Sequence, residues 1–312
     1  MYFRVKYETT YGMLSIIICT YNREKYIYKT LELIAKNDFS FEKFEVVLIN
    51  NNSTDSSESE CCRFQQNYPN INFRYFIETN QGLSFARNRG IAEAKGELLV
   101  FLDDDSFVDA DYLKNLENYV REYPDMIAFG GKITPLFENG ITPDWLSKWS
   151  YSWVVATNLG DEVKLFSRNN YPTGANMGFK KEYFEKYGIF NTSLGRCKKN
   201  MIGGEEKDIF FRCNRKCEKI YYFPNIKVLH VIPENRTTKE YIKKLGLGAG
   251  ISEKLRTLKI SKGCYIKRIF SELIKWMATI VLLAGFIITC KPKKGTALLI
   301  FRWNVSKGLL LS

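Results

Sequence analysis

Three consecutive aspartates, Asp103, Asp104 and Asp105, close the apolar run "GELLVFLDDD". Leu98 to Leu102 have the unbroken apolar pattern of a strand buried on both faces. Three adjacent carboxylates at its end repel one another. On an extended backbone Asp103 and Asp105 point one way and Asp104 the other. Two carboxylates on one side of a strand end can hold a hard divalent cation, Mn²⁺ or Mg²⁺, which takes oxygen ligands and bridges to phosphate oxygens. The plainer alternative is a solvated acidic turn that caps the next helix. A second acidic cluster stands in "GGEEKDIFFR" (203–212). Gly203 and Gly204 permit a tight turn, and Glu205, Glu206 and Asp208 follow in the first turn of a helix. These carboxylates either complement the helix N-terminus or present a general base from a rigid support.

The elements that must position these groups alternate. "LSIIICTYN" (14–22), "FEVVLINNNS" (44–53), "INFRYFIETN" (71–80) and "ELLVFLDDDS" (97–106) read as strands. Helices are expected over 24–37, 54–66, 83–96 (ended by Gly96) and 111–122. This rhythm predicts βαβ units and a mostly parallel, Rossmann-like α/β sheet flanked by helices. Each strand ends in polar residues: "TYN", "NNNSTD", "ETNQG" and "DDDS". Ligands of open parallel sheets bind outside those carboxyl ends, so four loops point to one site. The dinucleotide fingerprint and the P-loop are both absent, so a nucleotide would be held by polar side chains and a metal. Beyond 125 the pattern is less regular, with a strand at 129–133, a turn and aromatic-rich helix over 169–190, and a glycine turn, helix and strands over 201–231.

The net charge of +12 is unevenly placed. Residues 236–312 hold 16 Lys and Arg against 3 acids, whereas residues 1–235 hold 30 against 31. The basic tail suggests nucleic acid or an anionic membrane. Its charge-free stretch "WMATIVLLAGFIITC" (276–290), flanked by lysines, favours the membrane. At 15 residues it is short for a span, which needs about 20. An interfacial or re-entrant anchor is the expectation, with a true span, or a buried helix or oligomer contact, as alternatives. One boundary is expected at 235/236. Eight cysteines without a paired framework, and one histidine, read as reduced thiols of a cytosolic setting without zinc-finger spacing. The N-terminal residues have no secretory h-region.

In order along the chain, "SIIICTYNR" (15–23), "VVLINNNSTD" (46–55), "NQGLSFARNRG" (80–90), "FLDDDS" (101–106), "TGANMGFKK" (173–181), "GGEEKDIFFR" (203–212) and "VLH" (228–230) resemble the family 2 glycosyltransferases of GT-A fold. The resemblance implies an inverting, metal-dependent transfer from a nucleoside diphosphate sugar, a UDP-sugar favoured. Thr20, Tyr21 and Arg23 would form the first donor loop and Asn51 would read the base. Gly82, Arg87 and Asn88 would pack under the nucleotide. Asp103, Asp104 and Asp105 would form the D-x-D region, with Asp105 and Asp103 as metal ligands and His230 beside the diphosphate or metal. Glu206 falls at the catalytic-base position, with Glu205 or Asp208 as substitutes. Two departures stand out: Asn at both 50 and 51 where Asp is common, and Glu where the base is commonly Asp.

Acceptor recognition is expected from 125–200. Asn176 is a candidate for donor sugar or acceptor. Trp145, Trp149 and Trp153 recur every four residues, which puts them on one face if helical, either to stack on sugars or to pack on the core or at a membrane. The membrane tail and the resemblance together imply a polyprenyl-diphosphate-linked or glycan acceptor at the cytoplasmic face, in cell-surface polysaccharide synthesis. A nucleic-acid binder fits only the tail's charge and lacks a recognition motif. A nucleotidyltransferase would place glycines and a basic residue early, which "TYNREKY" does not. A catalytically retired nucleotide-binding protein of the same fold remains the other alternative.

Overall fold

The computed structural model describes residues 12–167, 170–197, 203–214 and 218–310. Four strands, β1 (Leu14–Thr20), β2 (Phe44–Asn50), β3 (Phe73–Ile77) and β4 (Leu98–Asp103), pair in parallel in the order β3-β2-β1-β4. β1, β2 and β4 are buried almost throughout, as their largely apolar runs require, and the two buried polar residues that interrupt β1 and β2 satisfy each other, Ser15 donating to Glu45 at 2.6 Å. Helices α1 (Ile27–Ala35), α2 (Ser57–Asn67) and α3 (Leu83–Glu93) make the crossovers. α1 turns Ile27, Leu31 and Ile34 inward, one helical face. α3 ends three residues before Gly96. That glycine lies against β1 instead: a Cβ there would fall 2.3 Å from the Met13 carbonyl oxygen.

The second half of the sheet departs from the parallel pattern. After β4 the chain turns through Asp104 and Asp105 into a short strand, β5 (Ser106–Val108), then α4 (Tyr112–Glu122). β6 (Ala128–Phe137), β7 (Lys164–Leu165), β8 (Met177–Lys180), α5 (Glu182–Tyr187), α6 (Glu205–Asn214) and β9 (Ile220–Ile232) follow. β8 slots antiparallel between β4 and β6, β6 and β9 are parallel, and β5 and β7 each pair antiparallel with β9. Apolar clusters fill both faces, one around Ile16, Val46, Leu102 and Tyr112, the other around Ile17, Phe101, Phe179 and Phe210.

Three helices end the chain: α7 (Lys239–Ile260), α8 (Lys262–Ile288) and α9 (Pro292–Leu310). α9 is laid against the body, where Phe301 stacks on Trp153 with ring centroids 4.5 Å apart and Ala297 and Leu298 join Ile242. The tryptophan segment is not one helix. It is a series of turns closed by a 3₁₀ turn, Tyr151–Val154. Ser147 and Ser150 bond each other's backbone and side chains, offering the chain a local alternative to the helical ladder.

Candidate active site

The antiparallel return of β5 along β9 brings two remote motifs together. Ser106 pairs with His230, and the Val231 amide donates to the Asp105 carbonyl at 2.9 Å. The His230 Nε2 therefore lies 3.1 Å from Asp105 Oδ1 and 3.9 Å from Asp103 Oδ2. The ligating atoms of Asp103, Asp105 and His230 all lie within 4.8 Å of one another. Asp105 Oδ2 and His230 Nδ1 are buried without a hydrogen-bond partner among the described residues. A hard-oxygen pair with one imidazole is a donor set suited to Mn²⁺ or Mg²⁺. Burial opposes the charge on Asp105, yet His230, Arg236 and Arg23 outweigh it and hold the carboxyl well below the usual range. Asp104 stands outside the triad, and Arg23 bridges it to Asp105. The Asp104 carboxylate lies 3.3 Å from Arg23 Nε, and burial pushes its pKa up to about 7.

A second ionic cluster stands beside the first. Arg87, on α3 and almost wholly buried, reaches Glu205 at 3.0 Å, Glu206 at 3.3 Å and Asp103 at 3.8 Å. Glu205 is buried, and burial together with Glu206 pushes its pKa up to about 7 against the pull of Arg87. Glu206 is the more open of the two and accepts the Gly174 amide at 3.2 Å. Gly174 has no space for a side chain: a Cβ would sit 1.8 Å from Arg87 Nη2 and 2.8 Å from Glu206 Oε1. Both clusters face one cleft of about 960 Å³.

Thr20, Tyr21, Arg23, Asn51, Gly82 and Arg87 all line that cleft with Asp103, Asp104, Asp105, Glu205, Glu206 and His230. Asn51 is already committed. Its amide donates to the Glu78 and Asn80 carbonyls at 2.9 and 2.7 Å, and its Oδ1 accepts the Gly82 amide at 2.8 Å. Two carbonyls facing the side chain explain Asn here, since Asp would set a carboxylate against them. Asn88 is likewise spent on both backbone groups of Phe190.

Three expected site residues lie elsewhere. Asp208 is on the far side of α6, paired with Arg212 at 3.3 Å; two residues on from Glu206 means slightly more than a half-turn around the helix. Asn176 is fully buried. It accepts from the Tyr112 hydroxyl at 2.7 Å and donates to the Ile226 carbonyl at 2.9 Å, tying the turn before β8 to α4 and β9. Trp145 donates to the Thr237 carbonyl and packs on Trp153, off the cleft lining.

Other residues of the site escaped the motifs. Arg236, the first residue assigned to the tail, lies 3.9 Å from Asp105 Oδ2. Arg196, Tyr241 and Leu245 also line the cleft. α7 grips the helix that carries the glutamates. The Gly203 amide donates to Ser252 at 2.9 Å, Lys207 pairs with Glu253 at 2.7 Å, and Arg256 lies over the Phe211 ring.

The chain is similar to known glycosyltransferases. The family model described as Glycosyl transferase family 2 matches residues 15–188. A glucosyl-dolichyl phosphate glucuronosyltransferase of Haloferax volcanii is 24% identical over 259 residues, 78% of this chain and 77% of that protein. The poly(ribitol-phosphate) beta-N-acetylglucosaminyltransferase TarS of Staphylococcus aureus is 35% identical over 112 residues, but only 35% of this chain and 19% of TarS are matched. Among solved structures, the mannosyltransferase PcManGT of Pyrobaculum calidifontis with GDP-Man and Mn²⁺ superposes with a TM-score of 0.62 at 16% identity, over 97% of this chain and 88% of that one. S. aureus TarS with UDP-GlcNAc gives 0.55 at 17% identity, over 95% and 91%. These structural likenesses establish the GT-A fold.

Proposed function

The chain belongs to glycosyl transferase family 2, and from that premise we propose an inverting transfer of a sugar from a nucleoside diphosphate sugar, UDP-linked by preference, to an acceptor hydroxyl. The observation that carries the reading is the convergence of the Asp103–Asp105–His230 and Glu205–Glu206 clusters on one cleft. Asp103, Asp105 and His230 would hold Mn²⁺ or Mg²⁺, which supplies positive charge against the charge that develops on a diphosphate leaving group. Arg23 and Arg236 add fixed positive charge next to Asp105. Asn51 and Gly82 shape the nucleotide end of the cleft, since Asn51 locks the 78–82 loop that Gly82 ends. Glu206 is the open carboxylate and takes the proton of the acceptor hydroxyl as it attacks the face opposite the leaving group. Arg87 holds that carboxylate in place and balances the buried Glu205.

The acceptor we propose is a glycan or a polyprenyl-diphosphate-linked sugar, in cell-surface polysaccharide synthesis. Support comes from the names of the relatives, which act on dolichyl phosphate or poly(ribitol phosphate) substrates, and from the basic, apolar tail. Residues 1–235 are the catalytic unit in this reading, and 236–312 attach it to the cytoplasmic face of a membrane. The deciding test is nucleotide release from a panel of nucleotide sugars with a lipid-linked acceptor, comparing wild type with Glu206→Gln. The proposal expects turnover in wild type and loss in the variant with nucleotide binding intact. Nucleotide binding with no turnover on any acceptor would favour a retired binding protein.

A further inference from the structure

Helix α8 has 27 residues and is apolar enough to cross a bilayer by length and composition, at about 40 Å. Its surroundings argue for another placement. It packs antiparallel on α9: Trp276 and Trp303 stand edge to face at 6.4 Å, and Arg302 pairs with Glu272 at 3.0 Å. A Cβ on Gly295 would fall 2.7 Å from Leu283 Cδ1. α9 in turn lies against Trp153 and Ile242 of the body. Both ends of α8 are tied to that body. Near its start Arg268 pairs with Glu253, which also holds Lys207 of α6. Just past its end Lys293 reaches Asp144 at 2.6 Å. A helix held at both ends runs along the body rather than away from it.

The side of α8 turned from the protein is apolar and uncovered. Ile266, Phe270, Ile274, Met277, Val281 and Ile288 recur at helical spacing and are 52–81% exposed. The charged Arg268 and Glu272 face inward, where each has a partner. We propose that α8 lies in the plane of an anionic bilayer with this face sunk among the acyl chains, and does not cross it. The inference deepens the membrane reading above and rests on it. Crossing would draw Glu272, Arg302 and the Lys293–Asp144 contact toward the hydrocarbon, where charge is costly. Lying flat leaves all of them on the protein side. Lys259, Lys262, Lys267, Lys291 and Lys307 are exposed around the strip. This one-signed fringe suits anionic headgroups and would repel itself across a two-fold interface with a second copy. Trp303, exposed on α9 beside the strip, fits the headgroup level. α7 belongs both to this layer and, through Tyr241 and Leu245, to the cleft wall, so a carrier lipid in the membrane would meet the cleft from that side.

The full chain is tested by flotation with vesicles of phosphatidylcholine alone and of phosphatidylcholine with phosphatidylglycerol. Binding to the anionic vesicles is expected, with a loss of roughly tenfold or more in the Phe270→Glu, Met277→Glu double variant. Both positions are solvent-exposed, so nucleotide binding should not change. Topology is read from Cys290, exposed just past α8, as the labelling that a Cys290→Ser variant loses. In inside-out membrane vesicles, an impermeant maleimide should label Cys290 without detergent. Labelling only after detergent would mean a span and overturn the proposal. Dimers that the double variant dissociates, without vesicle binding by wild type, would assign the strip to a second copy and also overturn it. Turnover on a lipid-linked acceptor without vesicle binding would defeat the surface and leave the transferase reading standing.

Discussion

Arg87→Met is the perturbation that best probes how the site is held together. Arg87 is buried with three carboxylates, Glu205, Glu206 and Asp103, around one guanidinium. Removing one partner of a buried charge cluster costs about 3–5 kcal/mol, because the remaining charges stay desolvated. The cost depends on pH through Glu205. Its folded pKa, about 7, lies above the ordinary 4.5, so the folded chain keeps a proton that the unfolded chain has lost. Stability therefore falls as pH rises between those two values and levels off above the folded pKa, a swing of about 3 kcal/mol at most. Without Arg87 that pKa rises further, so the variant suffers most on the alkaline side. At roughly 2–4 °C per kcal/mol, the variant should melt about 6–20 °C below wild type near pH 8 and much closer to it near pH 5.5. Thermal denaturation followed by circular dichroism at both pH values measures this. An equal deficit at the two pH values would assign the cost to packing on Phe190, over whose ring the guanidinium lies at 5.3 Å. No deficit at either pH would refute the charge argument.

Three further outcomes follow from the geometry. Gly174→Ala forces Arg87 and Glu206 apart, and turnover should fall on the order of a hundredfold while nucleotide affinity holds; an unchanged kcat would show that the pair can shift freely. Asp105→Asn should remove metal-dependent nucleotide binding and leave the far-ultraviolet spectrum native, and retained Mn²⁺-dependent binding would strike Asp105 from the ligand set. Glu253→Gln loosens the hold of α7 on α6 through Lys207, so kcat should drop between about ten- and a hundredfold with nucleotide Kd unmoved; a change in Kd alone would place its influence at the wrong end of the cleft.

The first four strands were legible because each is a mainly apolar run ending in polar residues, and in β1, β2 and β4 burial on both faces leaves that mark, whereas β3 is only half-buried. β8 was not, because four residues, "MGFK", become a strand only through the neighbours β4 and β6 that flank them. The acidic clusters announced themselves by residue type. His230 did not: it joins Asp105 through the β5–β9 register, and only the family resemblance pointed to it. Asp208 was included because sequence spacing within one helical turn does not say which face meets the cleft. The tryptophan spacing suggested a helix that Ser147 and Ser150 replace with turns. The charge boundary at 235/236 marks a change of composition, yet Arg236 reaches Asp105 and α7 grips α6, contacts that a one-dimensional charge count cannot register.

A nucleoside diphosphate sugar held with a divalent cation at Asp103, Asp105 and His230 calls first for calorimetric titration of the full chain with UDP, GDP, CDP and dTDP, in Mn²⁺ and then in EDTA. One nucleotide, UDP, should bind in Mn²⁺, and that binding should vanish in EDTA. Binding that survives EDTA unchanged, or no binding of any nucleotide in Mn²⁺, would contradict that reading.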